Sequence, residues 1–307
     1  MGGTQFNGLA LVHELVRQGH DVTIVNRGQT DAPLPEGINR LYADRTDHDQ
    51  VREVLGGSEF DVVFDVSAYH PDDVALMMDL FEGRTGQYVF ASSTVVYAAA
   101  DHLPITEDHP LERGATQIEY GSNKLLCEDA LLAAHAERGF PATVVYFSMV
   151  YGPRNIMPGR GQRMYARRGP GRPVEVAGDG TTLSQVGHVD DQARALEAVM
   201  HAPATVGRRY NLTGKGFQTD LGYVRTTAEH LGIEPDLRFI PFELMEALWD
   251  GEVEISVDSG SQGNIDIRTS EEARKRQQAV RHRFRFASVI PRLAPNIHRW
   301  NRSVVFN

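Results

Sequence analysis

The chain opens on glycine: Gly2-Gly3-Thr4-Gln5-Phe6-Asn7-Gly8, with only Met1 ahead of it. The cluster runs straight into residues 9–18, whose apolar side chains recur at helical spacing, so it reads as the tight turn between a strand and a helix. Gly19 stops that helix and residues 21–25 read as a buried strand. The alternation continues, with strands at 37–43, 60–66, 87–91, 142–146 and 210–213. Helices fall at 71–81, 120–137 and 192–200, with another ending near Leu231. Strands separated by helices build a right-handed, doubly wound parallel α/β sheet. Such a turn normally follows a strand that lies in the middle of the sheet. The sequence therefore predicts that Met1 ends a first strand begun upstream. The alternative, a sheet without that strand, forfeits much of the core.

With 307 residues, 41% hydrophobic and 23% charged, the chain can bury a large core. Its single cysteine, Cys127, excludes an internal disulfide and a cysteine metal cluster. No apolar run approaches ~20 residues and no basic-then-apolar leader opens the chain, so a cytoplasmic protein without a membrane span is expected. The net charge of -10 argues against a nucleic-acid surface. It is unevenly spread: residues 268–307 hold ten Arg/Lys and two Glu, leaving that segment at +8 and the remainder at -18. The ordinary reading of the tail is a solvated surface.

The chemistry points to Tyr120-Gly-Ser-Asn-Lys124 at the head of the 120–137 helix. Residues four apart share a helical face, so phenol and ammonium reach one point in space. A tyrosine is a poor base at neutral pH, and a fixed positive charge beside it favours the tyrosinate. Ser93 closes the strand 87–91 and is placed to hydrogen-bond a substrate oxygen beside the phenol. Such a set moves a proton while a hydride moves elsewhere. Asn26 and Arg27 close the second strand where an acidic residue would hold the ribose hydroxyls of NAD, and a cation there suits a 2'-phosphate. NADP is the expected cofactor, with NAD as the alternative.

Taken in order, Gly2 to Gly8, Phe90-Ala-Ser-Ser-Thr-Val-Val-Tyr97, Tyr120 to Lys124, Tyr151-Gly-Pro153 and His188-Val-Asp-Asp191 resemble the extended short-chain dehydrogenase/reductases of the NAD-dependent epimerase/dehydratase family. Gly2-Gly-Thr-Gln-Phe6 and Val25-Asn-Arg-Gly28 give the flavour of the branch that includes chloroplast stem-loop-binding proteins and their bacterial relatives. The resemblance implies a Rossmann domain over 1–152, rejoined by 185–214, and a substrate lobe from 153–184 and 215–307. It implies a catalytic set of Ser93, Tyr120 and Lys124. It implies cofactor contacts from Gly2, Gly3, Thr4, Gln5, Phe6 and Gly8, from Asn26, Arg27, Asp44, Arg45, Ser67 and Ala68, and from Tyr120 and Lys124 themselves. The substrate would be a small molecule, carbohydrate by analogy, and the protein a homodimer through the Tyr120 helix.

Several positions depart from the family. Gln5 replaces the second glycine of the turn. Thr94-Val95 stand where dehydratases carry Asp-Glu, which disfavours water elimination. Met149 and Ser184 stand where an Asn and an Arg usually hold a nucleotide diphosphate. An epimerase or reductase is the leading expectation. A scaffold that has lost catalysis and binds RNA through its basic tail is the alternative.

Overall fold

A computed structural model describes residues 1–100, 104–156 and 173–241, together with the backbone of strands Ile255–Val257 and Ile265–Ile267. Helix α1 (Phe6–Arg17) follows the glycine turn, and β1 (Thr23–Asn26) pairs in parallel with β2 (Asn39–Tyr42). Helix α2 (His48–Leu55) begins where the Asp47 side chain accepts the Gln50 amide. Then come β3 (Phe60–Asp65), α3 (Pro71–Phe81), β4 (Thr85–Ser93) and α4 (Glu119–Arg138). Helix α3 starts on Pro71, with Asp73 accepting the amides of Tyr69 and His70. Gly139, at φ 75°, takes the left-handed turn that ends α4.

Strands β3, β4, β5 (Ala142–Phe147) and β9 (Arg209–Leu212) form one parallel ladder in the order β3-β4-β5-β9. Every residue of β5 is buried, as a central parallel strand requires. One apolar layer joins α2, α3 and α4 to the sheet through Leu55, Phe81, Phe90 and Leu131. The opposite layer joins α1 to α5 (Val189–Met200) through Leu11, Leu15, Val89 and Leu196. The fold is the expected doubly wound α/β architecture, but its sheet is divided. Strands β1 and β2 form a separate two-stranded ladder, and between β1 and β3 only Met1 and Gly2 make bridging bonds among the described residues. Met1 donates its amine to the Phe64 carbonyl at 2.8 Å and Gly2 donates its amide to that of Val25 at 3.0 Å.

A smaller set of strands lies beyond. Strand β6 (Met149–Tyr151) runs parallel to β8 (Leu183–His188), and β10 (Phe217–Thr219) runs antiparallel to it. Strand β7 (Val174–Ala177) pairs with β11 (Leu237–Ile240), and β12 (Ile255–Val257) with β13 (Ile265–Ile267). Thr219 caps α6 (Asp220–His230) by accepting the Gly222 amide. His188 caps α5 by accepting the Asp190 amide, and Asp190 and Asp191, the second and third residues of the helix, carry charge that suits its N-terminus. The stretch between β4 and α4 is anchored at two points: Ile105 is buried and Glu107 accepts the Asn211 amide on β9. The arginine-rich segment 160–172, Trp249, Trp300 and the basic tail lie outside the described residues.

Candidate active site

Tyr120, Lys124 and Glu128 recur every four residues along α4 and so face the sheet together. Lys124 is 2% exposed, and its Nζ donates to the carbonyls of Ala68 (2.7 Å) and Ala91 (2.6 Å). Those carbonyls belong to the loop after β3 and to the end of β4, so one side chain ties both to α4. The ammonium also lies 4.7 Å from the Phe90 ring centroid, 4.9 Å from Tyr69 and 5.7 Å from Tyr120. Burial pushes its pKa down to about 8, with the Asp65 carboxylate working in the opposite direction. The rings supply the negative π faces that a desolvated cation needs. Tyr120 is 39% exposed, 6.0 Å ring to ring from Tyr69, and so sits where the buried cation meets solvent.

Ser93 ends β4 and accepts the Val95 amide at 3.4 Å, which opens the 3-10 turn Thr94–Val96. The Val95 carbonyl in turn accepts Gln117 Nε2 at 3.1 Å, three residues before Tyr120. The expected trio is thereby brought to one end of the sheet. Its neighbour Ser92 is committed elsewhere: it donates to Glu128 Oε1, while Tyr146 donates to Oε2 at 2.6 Å. Glu128 is fully buried, and burial raises its pKa. This knot fastens β4 and β5 to α4 one turn beyond Lys124. Its place eight residues from Tyr120 was the available sequence signal.

The loop between β3 and α3 is built on Asp65. Its carboxylate receives both Nη atoms of Arg45 (2.7 and 2.5 Å), the Tyr88 hydroxyl (2.6 Å) and the amides of Ser67 and Ala68. Burial pushes the Asp65 pKa up. The charges of Arg45 and of the Met1 amine, with hydrogen bonds from Arg45 and Tyr88, outweigh it and hold the group at about 2. Arg45 also meets Asp73 at 3.2 Å and donates to Ser67 Oγ at 3.0 Å. Its guanidinium, expected to contact the cofactor, is thus occupied in shaping the loop that carries Ser67, Ala68 and Tyr69. Asp44 accepts the Thr46 amide and hydroxyl, which lower its pKa.

The glycine turn packs closely. A Cβ on Gly8 would lie 2.8 Å from the Gly3 nitrogen, nearer than such atoms approach, and Gly2 and Gly3 hold φ of 93° and 103°. Phe6 opens α1 at φ 33°, Thr4 is partly buried, and Gln5 is exposed with its amide toward Thr30. Asn26 Oδ1 accepts the Gly28 amide and Arg40 Nη2, both at 2.9 Å. Arg40, missed in the sequence, reaches this point because the parallel register sets it beside Ile24, and it lies over the Tyr42 ring. Arg27 is exposed beside it. Asn26 Nδ2 and Asn7 Oδ1 are buried without a hydrogen-bond partner. A close-packed glycine cradle, a helix N-terminus, unanswered polar atoms and two arginines suit a dinucleotide. At the ends of β6 and β8, Tyr151 packs edge-on to His188 at 5.1 Å, and burial raises the Tyr151 pKa.

A parallel α/β sheet with a glycine turn at a helix N-terminus, and a buried lysine at the carboxyl ends of its strands, defines a dinucleotide-binding protein. The match to the NAD dependent epimerase/dehydratase family covers residues 1–213, and the chain belongs to that family. It is 30% identical over 251 residues to the chloroplast stem-loop binding protein of 41 kDa b of Arabidopsis thaliana, across 77% of this chain and 64% of that protein. The chain thus spans under two thirds of that relative's length. It is 27% identical to the UDP-glucose 4-epimerase of Drosophila melanogaster, across 70% of this chain and 77% of the other. Among solved structures, dTDP-glucose 4,6-dehydratase from Bacillus anthracis in complex with NAD superposes with a TM-score of 0.68 at 19% identity, covering 78% of this chain and 82% of that one. No described helix is long and apolar enough to cross a membrane.

Proposed function

We propose that the chain is a nicotinamide-dependent epimerase or reductase acting at a hydroxyl/carbonyl carbon of a sugar or sugar nucleotide. The observation that carries this reading is the Lys124 ammonium, sealed against two carbonyls with its charge 5.7 Å from the Tyr120 ring. Two of its three N–H groups are committed, and the third is available to a ribose hydroxyl. Gly2, Gly3, Thr4, Gln5, Phe6 and Gly8 would hold the pyrophosphate against α1. Asn26, Arg27 and Arg40 would hold the adenosine end, which favours NADP over NAD. Ser67 and Ala68 would line the ribose, in a loop that Asp65 and Arg45 keep in shape. When bound, the nicotinamide supplies or accepts the hydride. Tyr120 passes the proton to or from the substrate oxygen, the Lys124 charge stabilises the phenolate left behind, and the Ser93 hydroxyl donates to that same oxygen.

The test is a titration with NADPH and NADH by nicotinamide fluorescence, followed by incubation with UDP-glucose, UDP-galactose and keto-sugar nucleotides. Product analysis separates interconversion from net NADPH consumption. Tyr120→Phe should lower turnover by about 10²–10⁴-fold with cofactor affinity unchanged. Retained turnover in that variant refutes the assignment. The name of the Arabidopsis relative and the +8 tail favour one other reading, a stem-loop RNA binder. Salt-sensitive RNA retention that is lost without residues 268–307, in a chain that binds neither nucleotide, would establish it instead.

A further inference from the structure

On the face of the sheet away from α4, the turn that ends α1 meets the last turn of α5. Gly19, at φ 86°, lets the chain double back there: its amide bonds to the Val16 carbonyl at 3.0 Å and the His20 amide to that of Leu15 at 3.1 Å. These two bonds fix the backbone from which the His20 side chain projects. On α5, Glu197 and His201 stand four residues apart and so share a face, and the His201 amide closes the helix on the Ala198 and Val199 carbonyls. Leu11 and Leu15 pack with Leu196 and Val199 in one apolar layer, which sets the spacing between the two helices.

Three side chains converge at this seam. The Nε2 atoms of His20 and His201 lie 3.3 and 2.9 Å from a single oxygen, Glu197 Oε1, and the ligand atoms of all three residues lie within 4.8 Å of one another. The two imidazole rings stand 5.7 Å apart, centroid to centroid. Glu197 is buried, whereas His201 is open to solvent, so the cluster has a fixed anchor and a way in. A tetrahedral cation with ligands at 2.0–2.1 Å needs donor atoms about 3.3 Å apart. The two edges that meet at Glu197 are already near that length, and a turn of the exposed His201 ring sets the third. Two imidazoles and one carboxylate suit a borderline cation such as Zn²⁺, Co²⁺ or Ni²⁺, whereas Mg²⁺ and Ca²⁺ ask for oxygen ligands. Arg17, the cation in the last turn of α1, is paired with Glu14 at 2.6 Å, so its charge is already answered.

We propose that His20, Glu197 and His201 form a binding site for a divalent transition-metal ion, Zn²⁺ by ligand type, with water in the fourth position. Each imidazole gives its Nε2 lone pair while its ring proton sits on Nδ1, and Glu197 gives Oε1. The site lies at the opposite end of α1 from the glycine turn, and the twelve residues of that helix put ~18 Å between them at 1.5 Å per residue. Its effect is mechanical. One ion bridges the turn after α1 to the last turn of α5 and so holds from behind the helix whose N-terminus forms the nucleotide cradle. Because the unfolded chain does not hold these three ligands together, the free energy of binding adds to that of folding. The argument rests on side-chain geometry and is independent of the proposed catalysis.

The test uses the full chain without a histidine tag, stripped with EDTA, beside its His20→Gln and His201→Ala variants. Zn²⁺ is titrated by calorimetry, Co²⁺ is followed by its visible absorption, and thermal unfolding is recorded with and without metal. The unsubstituted chain should bind one Zn²⁺ with a micromolar or lower Kd and give the intense d–d bands of four-coordinate Co²⁺. At a hundredfold excess over Kd its Tm should rise by about 5 °C. Each variant should lose the cobalt bands and bind Zn²⁺ about 100-fold more weakly or worse, beyond what an outer-shell partner is worth. Should His20→Gln lower the metal-free Tm, His201→Ala decides alone, since its side chain is exposed. A Kd weaker than about 0.1 mM, a tight equivalent retained in folded His201→Ala, or an equal rise in Tm with Mg²⁺ would overturn the proposal.

Discussion

Asp65→Asn tests whether the nucleotide-side loop is held by charge. The substitution keeps the shape of the side chain and removes its negative charge. Five donors converge on that carboxylate, and Arg45, whose side chain is 14% exposed, would be left with Asp73 as its only charged partner among those facing it. Removing one member of a buried pair costs about 3–5 kcal/mol. A second route to the magnitude uses the titration. A carboxyl held at about 2 rather than 3.8 corresponds to about 2 kcal/mol, at ~1.4 kcal/mol per pH unit. The mutation should cost more than the titration, because the latter omits the stranding of Arg45. Stability from this group is present in full above pH ~4 and lost as pH falls through about 2, since its folded pKa lies below the unfolded one. Denaturant unfolding at pH 7 should show the variant weaker by about 3–5 kcal/mol, a fall in Tm of roughly 2 °C per kcal/mol in a chain of this size. Amide exchange over residues 66–69 should accelerate, because the Ser67 and Ala68 amides lose their acceptor's charge. A loss under about 1 kcal/mol, or an acid limb near pH 2–4 unchanged by the mutation, would refute the assignment.

Two further outcomes follow from the nucleotide side. Gly8→Val drives a branched side chain into the Gly3 backbone and Val66, and should cost about 1–3 kcal/mol and abolish NAD(P)H fluorescence enhancement; normal binding would show that the turn is not the cradle. If the proposed NADP preference holds, Arg40→Met should weaken NADPH by about tenfold or more while sparing NADH, because NADH has no 2'-phosphate for that guanidinium to meet; an equal loss for both nucleotides in parallel titrations would place Arg40 in the scaffold alone.

Local periodicity made most of the sheet legible in advance. Residues 71–81 form the expected helix without correction, since Pro71 and two aspartates mark its first turn. Helix α4 differs from expectation by one residue at each end, and its stop is Gly139 in the left-handed conformation that glycine adopts without strain. The division of the sheet was not legible, because the parallel β1–β2 ladder standing apart from β3 depends on long-range pairing. Arg45 shows the limit most clearly. The resemblance implied a cofactor contact for it, yet its partners Asp65 and Asp73 lie 20 and 28 residues away, where no spacing rule reaches. Glu128 could have been found from the helical face it shares with Tyr120. The Phe90 and Tyr69 rings around Lys124 come from separate elements and required the fold.

Cys127 lies one helical turn beyond Lys124 and is completely buried, with a thiol that burial pushes up to about 12. A thiol-specific dye reacts with thiolate, so in the folded chain it meets neither access nor the reactive form. Labelling therefore counts openings of α4 away from the sheet. As the chain has a single cysteine, that count needs no background correction from another site. Because Lys124 and Cys127 ride on the same turn, a nucleotide that grips the lysine should slow the clock in proportion to its occupancy. The interior sulfur thus offers a time-resolved gauge of binding that requires neither a substrate nor a mutation.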